Sequence, residues 1–315
     1  MSKIDIVVTY LDDNEKWRKN FNYWKRQEVG NGQNEENNRQ AFGEERLRDW
    51  GTFKYWLRGI ETNCSWVNKV FIIVQDEDQI PKWLNRDNPK LRIVFHEEFI
   101  PKELLPVYNC VPILMYLDKI EDLSDNYIIS DDDEFFINPI PEDKFFKEDK
   151  PVHVDNRIPF EYYSGKQLET SDNVFFKILN NNLKLEEKYM KEKVKYGFYH
   201  LPDARKKSFN LKILEENYEE ILQSLKYSKF RHEKNISATI FSDLLKICDI
   251  AVYDENLYKS CAYCCLKSSV RFSQYRNREI VCFNDTEQLD DFGLTRIKLI
   301  RFLDKCLPNK STFEK

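Results

Sequence analysis

The sequence is short of glycine. Its 315 residues include only eight, and none of them builds a Gly-x-Gly-x-x-Gly turn or a Walker-type loop to wrap phosphates in backbone amides. Hydride-transfer and kinase-type chemistry therefore lack their usual signature. No Gly-x-Ser-x-Gly elbow is present, so a serine-hydrolase reading has no support either. Histidine is equally scarce: His96, His153, His200 and His232 are the whole supply, which limits the candidates for proton transfer near neutral pH. Long apolar runs are missing. No stretch reaches the roughly 18 apolar residues of a membrane span, and Met1-Ser2-Lys3-Ile4-Asp5 has no apolar signal region, so the expectation is a cytoplasmic protein. No one sign of charge dominates: 33% of residues are charged, the net charge is -5, and no long basic stripe favours nucleic acid as a partner. The eight cysteines do not form the dense framework of a small secreted domain. Cys261, Cys264 and Cys265 lack a second ligand pair at zinc-site spacing and read better as buried free thiols.

What is present is enough core for one large α/β domain or two modest ones, with 41% hydrophobic residues and 14% aromatic. Short β-rich runs occur at 4–10, 70–74, 91–95 and 127–129. Between them, Leu47, Trp50, Phe53, Leu57 and Ile60 recur at helical spacing, as do Val111, Leu114, Met115 and Leu117. This alternation predicts a mainly parallel, Rossmann-like sheet flanked by helices. Ligands of such sheets bind beyond the carboxyl ends of the strands, where Asp12, Gln75, His96 and Asp131 fall. The second half reads as more helical. Leu211, Leu214, Tyr218, Ile221, Leu222 and Leu225 form one apolar face, with Ser208 as an N-cap. Val281 to Phe283 reads as a late strand returning to the sheet. The expected organisation is an α/β half over 1–164, a helical insertion or lobe over 165–249, and a C-terminal part over 250–315 that completes the α/β domain. The polar stretch Gly30 to Gln40 reads as a loop.

The run Asp131-Asp132-Asp133-Glu134 directly follows a buried strand. Four adjacent acids repel one another unless a cation or water compensates. At a strand's carboxyl end they suit a hard ion such as Mg²⁺ or Mn²⁺; a solvated acidic loop is the plainer alternative. Arg46, Arg48, Lys54 and Arg58 give the predicted first helix a basic face. It fits phosphate binding and equally a salt-bridged surface with Glu44, Glu45 and Asp49. His200 lies in a turn-like stretch before Pro202. It is a candidate general base, although a lone histidine is more often structural. Arg231 and His232 look like an ordinary basic helix end. The run Arg296 to Leu303 is amphipathic and basic; packing on its own domain is favoured over peripheral contact with the inner face of a membrane.

Four separated blocks together resemble the Stealth family of hexose-1-phosphate transferases, which includes bacterial capsular polysaccharide phosphotransferases and the catalytic part of animal N-acetylglucosamine-1-phosphotransferase. They are Ile4 to Asp12; a long block from Arg46-Leu47-Arg48-Asp49-Trp50 through Pro81-Lys82-Trp83-Leu84-Asn85 to Ser130-Asp131-Asp132-Asp133-Glu134-Phe135-Phe136; His200-Leu201-Pro202 with Arg231-His232; and Cys282-Phe283-Asn284-Asp285. Departures from the family pattern occur at Asp13, at Lys54, over Gln75 to Gln79 and at Ser130, and bear on the donor loop and the choice of sugar. The resemblance implies a nucleotide-sugar donor, usually a UDP-sugar, held by the 1–164 half, and a divalent metal, Mg²⁺ or Mn²⁺. It implies that Asp12, Arg48, Asp49, Arg58, Asp131, Asp132, His200, Arg231, Asn284 and Asp285 line the site. Taken with the basic face, the expected substrate-binding set is Asp12, Arg46, Arg48, Asp49, Lys54 and Arg58. The expected metal set is Asp131, Asp132, Asn284 and Asp285, and the catalytic set is His200, Asp131, Asp132 and Arg231. The reaction expected is transfer of a sugar-1-phosphate to a lipid-linked or polymeric glycan with release of UMP. A metal-dependent glycosyltransferase releasing UDP is the first alternative, and a non-catalytic polysaccharide-binding protein is the second.

Overall fold

The computed structural model describes residues 2–29, 41–159, 173–197 and 199–315. The Gly30 to Gln40 stretch lies outside the described residues apart from its neighbours. The four expected strands form: β1 (Ile4–Thr9), β2 (Val70–Val74), β3 (Leu91–Phe95) and β4 (Asn126–Ile129). They are parallel, in the order β4-β1-β2-β3, and the Asp203–Lys206 strand adds antiparallel to the outer edge of β4.

The apolar runs are continuous because the sheet is covered on both faces. On one face, Ile6, Val8, Ile72 and Ile128 pack with Trp56, Leu57 and Ile60 of the Phe53–Asn63 helix and with Leu299 and Leu303 of the Phe292–Cys306 helix. The C-terminal amphipathic run thus buries its apolar face in its own core. On the other face, Val7, Phe71, Ile73 and Ile129 meet Met115, Ile213, Leu225 and Phe241 from four further helices. Among the described residues, no helix is long and apolar enough to cross a membrane.

Three elements differ from the sequence pattern. The Leu47 to Ile60 repeat is not one helix. A short 3-10 turn over Glu44–Arg46 is followed by an irregular segment, and the helix begins only at Phe53. Gly51 sits at φ +66, and its N–H donates to Asp49 Oδ1 at 2.7 Å, a turn that glycine adopts without a Cβ penalty. The basic face is therefore split, with Arg46 and Arg48 before the turn and Lys54 and Arg58 on the helix. The Ile280–Asn284 strand does not rejoin the main sheet. It lies between Cys261–Cys265 and β5 (Glu134–Phe136) in a second sheet, because both edges of β4 are already occupied by β1 and Asp203–Lys206. That edge strand belongs to the main sheet although it falls within the predicted helical lobe. The apolar face over Leu211 to Leu225 is likewise two helices, Lys207–Glu216 and Tyr218–Leu225. Asn217 breaks them by turning its Nδ2 onto Ile213 O at 2.9 Å. Ser208 is not the N-cap; its backbone N–H is capped by Asp125 Oδ1 at 2.8 Å.

The second sheet is clamped to the first by a glycine. A Cβ on Gly59 would stand 2.6 Å from Phe136 O, so only glycine lets the Phe53–Asn63 helix lie this close to β5. Asn63 Nδ2 donates to the same carbonyl at 2.7 Å.

Candidate active site at the strand ends

Strand order reverses at β1, which has β4 on one side and β2 on the other. The crevice beyond the carboxyl ends of β1 and β4 is thus the topological switch point, where ligands of open α/β sheets bind. Ile129 pairs with Val7, and Ser130 N donates to Val7 O at 2.9 Å. Past this last rung, Tyr10 to Asp12 and Asp131 to Asp133 emerge along the same edge.

The Asp12 loop is pinned without a glycine. Buried Gln79 exchanges two hydrogen bonds with the backbone of Asp12: its Oε1 accepts from Asp12 N and its Nε2 donates to Asp12 O, both at 2.8 Å. The Asp49 charge raises the pKa of both Asp12 and Asp132, and all three carboxylates push the Tyr10 hydroxyl upward after burial has done so. These residues therefore lie within electrostatic reach of one another. Asp131 and Asp132 stay open to solvent in a recess hemmed in by protein. That crowding, with Asp131 beside it, pushes Asp132 up to about 7. Burial also raises Asp131, and Asp203 adds to it while His200 counteracts it. Glu134 turns inward and accepts from Asp131 N at 3.1 Å. Asp133 O accepts from Phe283 N at 2.9 Å, tying the acidic run to the second sheet.

Beside this recess lies a cavity of about 250 Å³ bordered by Tyr10, Arg46, Gln75, His96, Tyr108, Asp132 and Arg231. Arg46 reaches solvent, but surrounding protein and the neighbouring Arg231 charge lower its pKa to about 10, so it remains a cation at neutral pH. Two guanidinium groups facing one cavity repel each other, and an anionic ligand relieves that repulsion. Two polar atoms on the wall, His96 Nδ1 and Tyr108 Oη, are buried without a hydrogen-bond partner among the described residues. Burial lowers His96 to about 4, leaving a neutral ring that can donate or accept. Buried orphan groups cost about 1–3 kcal/mol each, and a ligand with a polar edge would satisfy them.

Asp12, Asp49, Asp131, Asp132, Arg46 and Arg231 thus gather at one place, and His200 joins them through its electrostatic contact with Asp131. Burial lowers the His200 pKa, which favours the neutral ring a base requires. On the second-sheet side, Arg48 Nη1 grips both oxygens of Asp285 at 2.8 and 3.0 Å, and Trp50 Nε1 donates to the same carboxylate at 3.1 Å. Asn284 Nδ2 donates to Tyr263 Oη at 2.5 Å, and the Tyr263 ring stacks on His200 at 4.9 Å.

Arg58 and Lys54 are not brought to this centre. Arg58 is clamped by Glu314 at 2.7 and 2.8 Å and donates to Leu307 O at 3.2 Å. Lys54 lies over the Tyr55 ring at 5.1 Å. Trp56, two residues from each, points at the site and donates to Ser130 Oγ at 3.2 Å. At about 100° per residue, residues 54 and 58 fall on the opposite side of the helix. Sequence reasoning had no role for Tyr10, Gln79 and Tyr108; the departure from the family pattern over Gln75 to Gln79 was the one signal for Gln79. The cysteines are free thiols, with Cys261 and Cys264 buried but Cys265 exposed, because its side chain falls on the outer face of its strand.

No group of three His, Cys, Asp or Glu side chains is arranged as a metal cage among the described residues. Mg²⁺ typically takes one or two carboxylates and completes its shell with water and substrate phosphate. Asp131 and Asp132 are such a pair, with no Lys or Arg ion pair to neutralise them among the described residues.

Comparison with known proteins gives the chain's relatives. Residues 46–154 match the model of conserved region 2 of the Stealth proteins. The chain is 30% identical over 354 residues to the capsular polysaccharide phosphotransferase WcwK of Streptococcus pneumoniae, covering all of this chain and 99% of that one. It is 28% identical over 342 residues to the receptor polysaccharide phosphotransferase WefC of Streptococcus oralis, covering all of both. A 106-residue segment, 34% of this chain and 44% of the relative, is 45% identical to the capsular polysaccharide phosphotransferase eps5J of Streptococcus thermophilus.

Proposed function

This chain belongs to the Stealth family of polysaccharide phosphotransferases, and we propose that it transfers a sugar-1-phosphate from a UDP-sugar to a hydroxyl of a lipid-linked or polymeric glycan, releasing UMP. The observation that carries the reading is the cavity at the switch point of the sheet that Arg46, Arg231 and Asp132 line together. It offers two cations for a diphosphate and, in Asp132, one carboxylate for its counter-ion within one enclosure, with Asp131 next to it in the chain.

In this reading Asp131 and Asp132, with Asn284, would hold Mg²⁺ or Mn²⁺, which when bound would supply positive charge against the diphosphate. Asp285, already engaged by Arg48 and Trp50, serves to fix Arg48 rather than the ion. Arg46 and Arg231 bind the non-bridging oxygens, and their charge offsets the build-up on the transferring group. His200 accepts the proton of the acceptor hydroxyl as its oxygen attacks the phosphorus attached to the sugar. The bond from that phosphorus to the bridging oxygen breaks, and the electron pair leaves with UMP. The anomeric C–O bond stays intact, so anomeric configuration is retained. His96 and Tyr108 are suited to the polar edge of the base.

The test is the nucleotide product. The purified chain would be incubated with UDP-sugars, Mg²⁺ or Mn²⁺ and a glycan acceptor, with a chelator control. Chelator-sensitive, acceptor-dependent UMP supports the proposal. UDP in its place would mean that the sugar's own C–O bond is broken, and would overturn it.

A further inference from the structure

A second opening is bordered by His200. It is a cleft of about 540 Å³ lined by Tyr199, His200, Leu201, Tyr258, Ala262 and Tyr263, within the roughly 300–1,000 Å³ of small-molecule sites. Three of its walls are tyrosines that a soluble core would be expected to cover. Tyr199, Tyr258 and Tyr263 are 38%, 48% and 44% exposed. They are not scattered. Tyr199 and Tyr258 touch with ring centroids 4.7 Å apart, and Tyr263 lies against His200 at 4.9 Å. Clustered exposed aromatics mark binding surfaces. A tyrosine offers an apolar ring face and a polar tip together, which matches a pyranose, with its C–H faces and its rim of hydroxyls. Among the described residues lining the cleft none is Asp or Glu, while Lys259 and Arg278 border it, so the surface is unsuited to a cationic ligand.

We propose that this cleft is the acceptor-glycan site, with pyranose rings stacked on Tyr199, Tyr258 and Tyr263. This rests on the reading of the donor cavity given above. The geometry supplies the link. His200 lines the cleft and stacks on Tyr263, and it is near enough to Asp131 to feel that charge, so a hydroxyl in the cleft can meet the base. Tyr263 is in turn bonded to Asn284 at the end of its strand, which holds the platform in register with the acidic run. The acceptor then reaches the imidazole from the cleft, an opening separate from the donor cavity.

The experiment measures binding, apart from turnover. Oligosaccharides from partial hydrolysis of the polysaccharide made by the cells that carry this chain are titrated against the full-length protein. UDP is titrated in parallel as a control for the donor cavity. The variants are Tyr199→Ala with Tyr258→Ala, and Tyr199→Phe with Tyr258→Phe. Both tyrosines are exposed, so the fold should tolerate either change. The double alanine variant is expected to weaken oligosaccharide binding by roughly tenfold or more, from the loss of two stacking faces. The double phenylalanine variant keeps the faces and stays within about threefold of the parent, and UDP affinity is unchanged in both. Equal oligosaccharide affinity in parent and double alanine variant, or no binding by the parent, overturns the assignment. The two proposals fail separately. UDP as the nucleotide product would sink the phosphoryl-transfer reading and leave the acceptor cleft standing, whereas unaltered oligosaccharide binding would sink the cleft with UMP release intact.

Discussion

Gly59→Ala tests whether the acidic run is positioned by the approach of helix and second sheet. On an exposed helix the change would gain about 1 kcal/mol of helix propensity. Here the new Cβ would stand 2.6 Å from Phe136 O, against an ordinary contact of 3.4 Å or more. Helix and β5 must therefore separate by about 0.8 Å, the difference of those two distances. The obstacle is backbone and cannot rotate aside. Overpacking of this kind costs about 1–3 kcal/mol, and straining the Asn63 bond to the same carbonyl costs about 1 more. The net expectation is a loss of roughly 1–3 kcal/mol, or a Tm lower by about 2–5 °C. Because β5 follows directly on Asp131 to Asp133, turnover should fall further than the lost folded fraction explains, by about tenfold or more. Gly293→Ala is the control: its Cβ would meet only Asp291 Oδ1 at 3.7 Å, so stability should hold or rise. Thermal unfolding and nucleotide release would be measured on both variants. A Gly59→Ala protein as stable and as active as the parent would refute the argument.

Asp118 sets a pH dependence. It is 1% exposed and held by Tyr127 at 2.8 Å and Asn210 at 3.3 Å on one oxygen, and burial pushes its pKa up to about 7 despite the nearby Arg205 and Lys207. An acid whose folded pKa is raised stabilises the native state only while it is protonated. Relative to Asp118→Asn, the parent should therefore lose about 1.4 kcal/mol per pH unit between roughly pH 4 and 7, then level off; a constant difference across that range would contradict this. His200→Ala should slow nucleotide release by about two to four orders of magnitude with the fold intact. Unchanged turnover would remove His200 as the base. Arg231→Ala should weaken UDP binding about 10- to 100-fold through loss of a charged hydrogen bond, whereas Arg58→Ala should lower stability by separating the Glu314 pair and leave UDP affinity unchanged. The reverse pattern, read by titration and thermal unfolding, would mean the two arginines have been assigned to the wrong places.

What the sequence determined by itself was local and periodic. Runs such as Val70 to Val74 can only be strands buried on both sides, and four acids after Asn126 to Ile129 had to emerge at a strand's carboxyl end, because side-chain direction and strand polarity are fixed by the chain. The family blocks added Arg231 and His200, which periodicity could not single out. The tertiary structure decided what depends on distant partners. Arg58 was legible as a phosphate ligand until Glu314, 256 residues away, claimed it. Asp285, expected among the metal ligands, has both its oxygens gripped by Arg48, 237 residues away, a pairing no local pattern announces. Gln79 locking the Asp12 loop and the orphaned His96 and Tyr108 leave no periodic trace at all. Helix and strand propensities act over a few residues, whereas which charge meets which, and which polar atom is left for a ligand, is settled only when the sheet closes and brings remote segments to one edge.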